Sequence, residues 1–167
     1  MENLLIAEIA TDSCYKSLPQ AENSYPILEN CNYIDGRDFI ATALLLTDYS
    51  LGEVDLAFES SRKAYRVAKK ARCQSSKEKS AIAIEQLRLA RQEIQEARDQ
   101  IILIERQWLL INEGRNEVSG INSAEYQWAN GPKNYIINTA RLAILNTYNY
   151  LEIAKLAIEE AQLVLCG

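Results

Sequence analysis

The sequence of 167 residues contains no histidine. Imidazole is the commonest metal ligand and a frequent general base, so its absence excludes histidine-ligated metal and haem sites and most nucleophilic triads. Two-metal sites in helical bundles use Glu-x-x-His pairs, and we therefore predict no metal and no cofactor. The motifs G-x-x-x-x-G-K-[ST], G-x-G-x-x-G and G-x-S-x-G are also absent. Phosphate-cradling and nucleophile-elbow chemistry thus lacks support, which favours a protein that is not an enzyme.

Glycine and proline are scarce, at six and three residues. Both interrupt helix interiors, so the long stretches without them favour extended helices. No apolar run approaches the roughly 20 residues that a membrane-spanning helix needs. The N-terminal sequence MENLLIAEIATDSC lacks the basic start of a secretory signal, and we predict a cytoplasmic location.

The four cysteines are far apart in the sequence. They are Cys14, Cys31, Cys73 and Cys166, and none forms a C-x-x-C pair. This spacing argues against a zinc site and against a thioredoxin-type redox motif. Disulfides are rare in cytosolic proteins, so we expect buried or unreactive thiols.

Residues 1–167 are predicted to form a single helical-bundle domain, because the chain is long enough to bury a core of its own. Within residues 1–37 the pattern indicates a short helix and then an irregular, partly apolar segment that packs on the bundle. Residues 38–167 are predicted to form the bundle of long helices.

Three long helices are predicted from apolar residues that alternate at spacings of three and four. The firmest prediction covers residues 76–117, whose seam comprises Leu87, Ala90, Ile94, Ala97, Ile101, Ile104, Trp108 and Ile111. Residues 133–165 carry two adjacent apolar lines, which predicts the most enclosed helix. Residues 38–73 form the third helix, with a break or bend at Gly52. We therefore predict an all-α, up-down-up bundle of antiparallel helices, with the short N-terminal helix in a fourth groove.

The residues around Gly52 resemble one tetratricopeptide repeat. Ala41, Leu44 and Tyr49 precede the run Gly52-Glu53-Val54-Asp55-Leu56-Ala57-Phe58, and Ala64 follows it. Leu45 and Ser61 stand where that family usually carries a glycine and an aromatic residue. No second copy follows at the repeat period of about 34 residues. The resemblance implies a helix-turn-helix at Gly52 and a surface that binds a peptide or a protein.

Positive charge is concentrated in residues 62–79. This segment carries eight basic residues and one acidic residue, in a chain whose net charge is −5. Arg62, Arg66, Lys69 and Lys70 fall near one side of the predicted helix and are candidate binding residues for an anionic partner. A purely structural role stays open in two forms: cations complement the dipole of a last helical turn, and the acidic N-terminal third neutralises the segment internally. Nucleic acid is disfavoured as a partner, because the chain is acidic overall and base-stacking aromatics are not nearby.

A second candidate site is the aromatic segment EYQWANGPKNY, in which Tyr126, Trp128 and Tyr135 mark a functional loop. Together with Tyr148 and Tyr150, these side chains could line a pocket for a flat apolar ligand. The alternative is ordinary packing at the end of the bundle.

We expect a non-enzymatic helical interaction protein, such as an adaptor, an assembly factor or a regulatory subunit, that binds another protein through its helix faces. Long helices offer surface, and the alanine-rich seams allow another helix to approach, including that of a second copy in a homodimer. One alternative is a bundle that binds a small apolar or aromatic ligand, with or without an enzymatic step. The other is an anion-binding module that uses residues 62–79.

Overall fold

The computed structural model describes residues 3, 5–7, 9–14, 33–114 and 132–163. Helix α1 comprises the helical residues 3, 5–7 and 9–14. Helices α2, α3 and α4 span Tyr33–Lys70, Gln74–Gly114 and Pro132–Leu163. Every described residue outside the turn at 71–73 is helical. The predicted all-α bundle is confirmed.

Helix α3 packs along both α2 and α4. On α3, Arg91 binds Asp55 at 2.8 Å and Arg98 binds Asp48 at 2.6 Å. Arg98 lies seven residues after Arg91 on α3, whereas its partner Asp48 lies seven residues before Asp55 on α2. These two helices are therefore antiparallel. Lys79, near the start of α3, pairs with Glu160, near the end of α4. The order is the predicted up-down-up, over a central helix of about 60 Å.

The core consists of the apolar lines that the sequence predicted. On α3 the seam residues Leu87, Ala90, Ile94, Ala97, Ile101 and Ile104 are at most 1% exposed. Trp108 and Ile111 lie outside the described side chains. Ile144, Leu151 and Ile158 of α4 are fully buried, and α1 adds Ala10 and Cys14 to the same core. The N-terminal helix thus packs on the bundle, as predicted.

Helix α2 continues through Gly52 without interruption. The predicted break is therefore wrong, and so is the helix-turn-helix that the tetratricopeptide resemblance implied, whereas the alternative of a bend at Gly52 stays a prediction. One exposed glycine in a helix costs about 1 kcal/mol, which is small beside the burial along the opposite side of the same turns. Thr47, Ser50, Val54 and Ala57 are all buried there.

The helix ends differ from the predicted ones by a few residues. Helix α2 begins at Tyr33 rather than 38 and ends at Lys70 rather than 73, so part of the predicted irregular segment is helical. Helix α3 spans Gln74–Gly114 instead of 76–117, and α4 spans Pro132–Leu163 instead of 133–165. Helix ends depend on local capping rather than on the apolar period, which explains why the period located the helices better than their ends.

Candidate binding surface on α2 and the α2–α3 turn

The turn between α2 and α3 is a left-handed cap. Arg72 has a φ of 56°. The Cys73 N–H donates to the Ala68 carbonyl at 2.9 Å, and the Arg72 N–H donates to the Lys69 carbonyl at 3.2 Å. These two bonds define the Schellman motif, which satisfies carbonyls at the end of a helix. The Lys77 N–H donates to the Cys73 carbonyl at 3.0 Å and opens α3. Cys73 therefore takes the N-cap position of α3.

Arg72 occupies a backbone conformation that normally belongs to glycine or asparagine. For other L-residues the left-handed region costs about 1–2 kcal/mol, because the Cβ atom crowds the following carbonyl oxygen. The Arg72 side chain is exposed, so burial does not compensate for this strain. A strained residue at the surface is a reason to look for a function of its side chain.

Lys69, Arg72 and Lys77 line a hollow of about 200 Å³ at this turn, together with Ala68, Cys73 and Gln74. The start of α3 faces the same region and adds the positive end of its helix dipole. The hollow therefore presents positive charge toward solvent.

The four predicted binding residues are all exposed near the end of α2. Arg62 is already engaged: its guanidinium lies 3.3 Å from the Glu59 carboxylate and 5.7 Å from the centroid of the Phe58 ring. Within the described ranges, Arg66, Lys69 and Lys70 form no ion pair. Three of the four predicted cations thus lack an ion-pair partner among the described residues.

The described acidic residues of the N-terminal third mostly pair elsewhere. Asp48 and Asp55 bind arginines of α3, and Asp12 binds Lys155 of α4 at 3.2 Å. Only Glu59 among them pairs with the basic segment. Apart from the Glu59–Arg62 pair, the described acidic side chains therefore do not neutralise the basic segment. The helix dipole still accounts for Lys69 and Lys70, which lie in the last turn of α2.

An exposed apolar line runs along α2 on the side away from the core. Its side chains are Leu45, Tyr49, Leu56 and Val67, which are 69%, 52%, 57% and 57% exposed. At about 100° per residue, these positions and Gly52 lie within an arc of about 60°. We call these five residues the α2 face. The α2 face is not among the predicted sites, although the apolar residues spaced by four and seven outside the buried seam indicate it.

The α2 face becomes basic toward the turn. Lys63 and Lys70 fall on the same line of the helix as Leu56, and Arg66 lies beside it. All three cations are exposed. The surface thus passes from apolar side chains at mid-helix to positive charge at the end of the bundle.

Tyr49 supplies the one polar group among the large side chains of the α2 face. The charge of Glu53, one turn later, raises the pKa of the Tyr49 phenol, and burial and a hydrogen bond to Glu53 act in the same direction. The phenol therefore stays protonated at neutral pH, and its O–H donates to the Glu53 carboxylate, which leaves the phenol oxygen as an acceptor.

The two described cysteines differ. Burial raises the pKa of the Cys14 thiol to about 12, with the charge of Glu53 adding to the effect and a hydrogen bond with Ser50 opposing it. Cys14 is a buried thiol that forms no disulfide, as expected from the sequence. Cys73, in contrast, is disulfide-bonded. The prediction of thiols throughout is wrong at this position, because the spacing of cysteines in a sequence does not reveal which positions the fold brings together.

The aromatic candidate is only partly described, since Tyr126 and Trp128 lie outside the described residues. Tyr135, near the start of α4, is 73% exposed. Tyr148 and Tyr150 are half-buried against the core, about 20 Å further along the helix axis. The three described tyrosines are therefore not gathered into one pocket.

In the parts of the chain that the structure describes, no group of acidic residues and cysteines could hold a metal ion. None of the described helices has an apolar stretch long enough to span a bilayer. Comparison with protein-family models, with curated proteins and with solved structures found no match. The surface geometry is therefore the basis for assigning a function.

Proposed function

We propose that this protein is a non-enzymatic helical interaction protein, acting as an adaptor, assembly factor or regulatory subunit, and that its α2 face binds an amphipathic helix of another protein. The observation that supports the proposal is the exposed apolar line of α2 that leads into exposed cations without ion pairs among the described residues. Amphipathic helices dock through anchors spaced by three, four and seven residues, and Leu45, Tyr49 and Leu56 follow that spacing.

The surface specifies the chemistry of the partner. Its helix would carry apolar residues against Leu45, Tyr49 and Leu56, and acidic residues at the end that meets the basic segment. Gly52 leaves open space in the middle of the line, since nothing lies within 4 Å of a Cβ built there. A partner side chain can enter that space. The cations would mainly accelerate association and fix the direction of binding, whereas the apolar contacts would supply most of the affinity.

The expected affinity is modest. Burying a whole leucine-sized side chain contributes about 1.5–3 kcal/mol, so each half-exposed anchor contributes about 1–2 kcal/mol. The free energy gained by burying the four large side chains of the α2 face against a matching partner is opposed by the freedom lost on association, which costs roughly 4–15 kcal/mol. We therefore expect a transient complex rather than a permanent one.

The test uses two matched substitutions in the full chain. Leu56→Glu on α2 and Leu156→Glu on α4 introduce the same charge at residues that are 57% and 56% exposed. Partners captured by the wild-type chain are identified and their contacts mapped by cross-linking. We expect Leu56→Glu to remove the bound helix and Leu156→Glu to retain it. Equal capture by both variants, or a bound segment that is not an apolar helix with an acidic end, would refute the proposal.

A second candidate function is the anion-binding module, which the hollow lined by Lys69, Arg72 and Lys77 favours. Lys69→Glu combined with Lys77→Glu should then weaken salt-sensitive binding of inorganic phosphate or anionic vesicles. Binding that is unchanged would leave the basic segment with a structural role. The small apolar ligand has no comparable support, because the described tyrosines are separated along α4.

The proposed cytoplasmic location conflicts with the disulfide at Cys73, since such bonds persist mainly in oxidising compartments. Alkylating the thiols in intact cells before lysis tests this part of the proposal. A Cys73 that is reduced in intact cells would support the cytoplasmic location, and an oxidised Cys73 would contradict it.

A further inference from the structure

We propose that α4 binds a second copy of this chain in an antiparallel, two-fold symmetric dimer centred on Asn149. The exposed large apolar side chains of α4 are Tyr135, Leu142, Leu145, Ile153, Leu156 and Leu163. We call these six residues the α4 face. They range from 46% to 81% exposed and lie within an arc of about 80°, on the side away from the core.

The positions of the α4 face are symmetric about Asn149. Leu145 and Ile153 are each four residues from it, Leu142 and Leu156 are each seven, and Tyr135 and Leu163 are each fourteen. A two-fold interface requires one surface to be complementary to itself. An antiparallel pair of α4 helices centred on Asn149 meets this requirement, because each apolar side chain faces an apolar side chain of the other copy.

The charges on α4 favour the antiparallel direction. Glu152, Glu159 and Glu160 all lie in its C-terminal half. In the antiparallel pair Glu152 and Glu159 face Asn146 and Thr139 of the second copy, and Glu160 is paired with Lys79 of its own chain, so no two like charges meet. A parallel pair would set each glutamate against its own counterpart, which is repulsive.

Asn149 lies on the two-fold axis and is exposed in the single chain. Its amide can donate to and accept from the same amide of the second copy. A single asparagine in an apolar helix seam fixes the register of the pairing at some expense of stability. The symmetric apolar residues and the central amide thus select the same register.

The size of the surface sets the expected strength. From Tyr135 to Leu163 the α4 face is about 42 Å long and about 10 Å wide. Two copies would bury on the order of 800 Å² or more, at the low end of specific interfaces. The dimer is therefore expected at micromolar rather than nanomolar concentrations. Because the α4 face and the α2 face belong to different helices, this dimer does not depend on the proposed function.

Sedimentation of the full chain across micromolar concentrations tests the dimer. We expect a concentration-dependent dimer whose dissociation constant rises by about tenfold or more in Leu156→Glu and stays unchanged in the matched variant Leu56→Glu. Circular dichroism verifies that both variants remain folded. A chain that stays monomeric up to a few hundred micromolar (well above the expected range), or equal effects of the two variants, would overturn the proposal.

The direction of pairing is tested by a gain of affinity. Asn146→Lys sets a cation opposite Glu152 of the second copy in the antiparallel pair, so the dimer should tighten at low salt and lose that gain at high salt. In a parallel pair the same substitution would bring two cations together and weaken the dimer. Weakening would overturn the antiparallel arrangement. If Leu56→Glu lost partner capture while the dimer stayed intact, that result would report on binding to the α2 face and would leave the dimer proposal unaffected.

Discussion

Replacing Arg72 by glycine should stabilise this protein although it removes a side chain. Arg72 adopts a φ of 56°, where an L-residue is disfavoured by about 1–2 kcal/mol and glycine is not. Glycine also adds freedom to the unfolded chain, which offsets about 0.5–1 kcal/mol of that gain. The Arg72 side chain is exposed, so little packing is lost. The expected net gain in the free energy of unfolding is about 0.5–1 kcal/mol.

Urea denaturation gives this quantity directly, as a higher midpoint with an unchanged slope. For a chain of this length the melting temperature should rise by about 1–4 °C. Arg72→Ala is the matched control, because it removes the same charge near Lys69 and Lys77 while keeping the strained backbone. The difference between the two variants therefore isolates the backbone effect.

Equal stabilities of Arg72→Gly and Arg72→Ala would refute the reasoning from backbone strain. Measuring the partner affinity of both variants tests a second consequence, which is the role of the Arg72 charge in binding. If the Arg72 cation is retained for contact with an acidic partner, both variants should lose affinity by the same factor, even though one of them is more stable. A stabilised variant with undiminished binding would show that the strain at Arg72 does not serve this contact.

Three further predictions concern other parts of the molecule. Gly52→Ala should raise the free energy of unfolding by about 1 kcal/mol in urea denaturation, because the added Cβ meets open space in a helix. The same substitution should weaken partner binding, because it fills space in the α2 face. Unchanged binding would contradict the role of Gly52. Burial raises the pKa of the Cys14 thiol to about 12 in the folded protein from 9.0, so only the unfolded thiol loses its proton as the pH rises past about 9. The free energy of unfolding should therefore fall above that pH by at most about 1.4 kcal/mol per pH unit. In Cys14→Ala the free energy of unfolding should fall less steeply, and parallel curves for the two proteins would contradict the pKa shift. The pair of Lys79 with Glu160 sets the start of α3 beside the end of α4. Cys166 follows α4 in the sequence, so we expect non-reducing peptide mapping to recover Cys73 joined to Cys166, and recovery of Cys73 joined to Cys31 would contradict this assignment. Reduction of that bond should cost about 2–4 kcal/mol of stability in the wild type and nothing in Cys73→Ser.

The candidate sites differ in how far the sequence could locate them. The charge run at 62–79 is visible without any structure, and its exposed cations are where the helical period places them. The α2 and α4 faces were not found, because exposed leucines are common in sequences and become a surface only when the buried side of each helix is known. The left-handed turn at Arg72 could not be foreseen either, since a non-glycine residue there contradicts local preference.

What the sequence determined by itself is the set of long helices and the side that each one buries. The spacing of Leu87, Ile94 and Ile101 follows the helical period, and that period is a local property of the chain. Tertiary structure decided the rest. Whether Gly52 breaks a helix depends on burial along the other side of α2, and whether Cys73 forms a disulfide depends on which distant residue the fold brings near. The symmetric spacing of apolar residues about Asn149 is likewise a property of the sequence. These residues form an exposed surface only because the opposite side of α4 packs against α3.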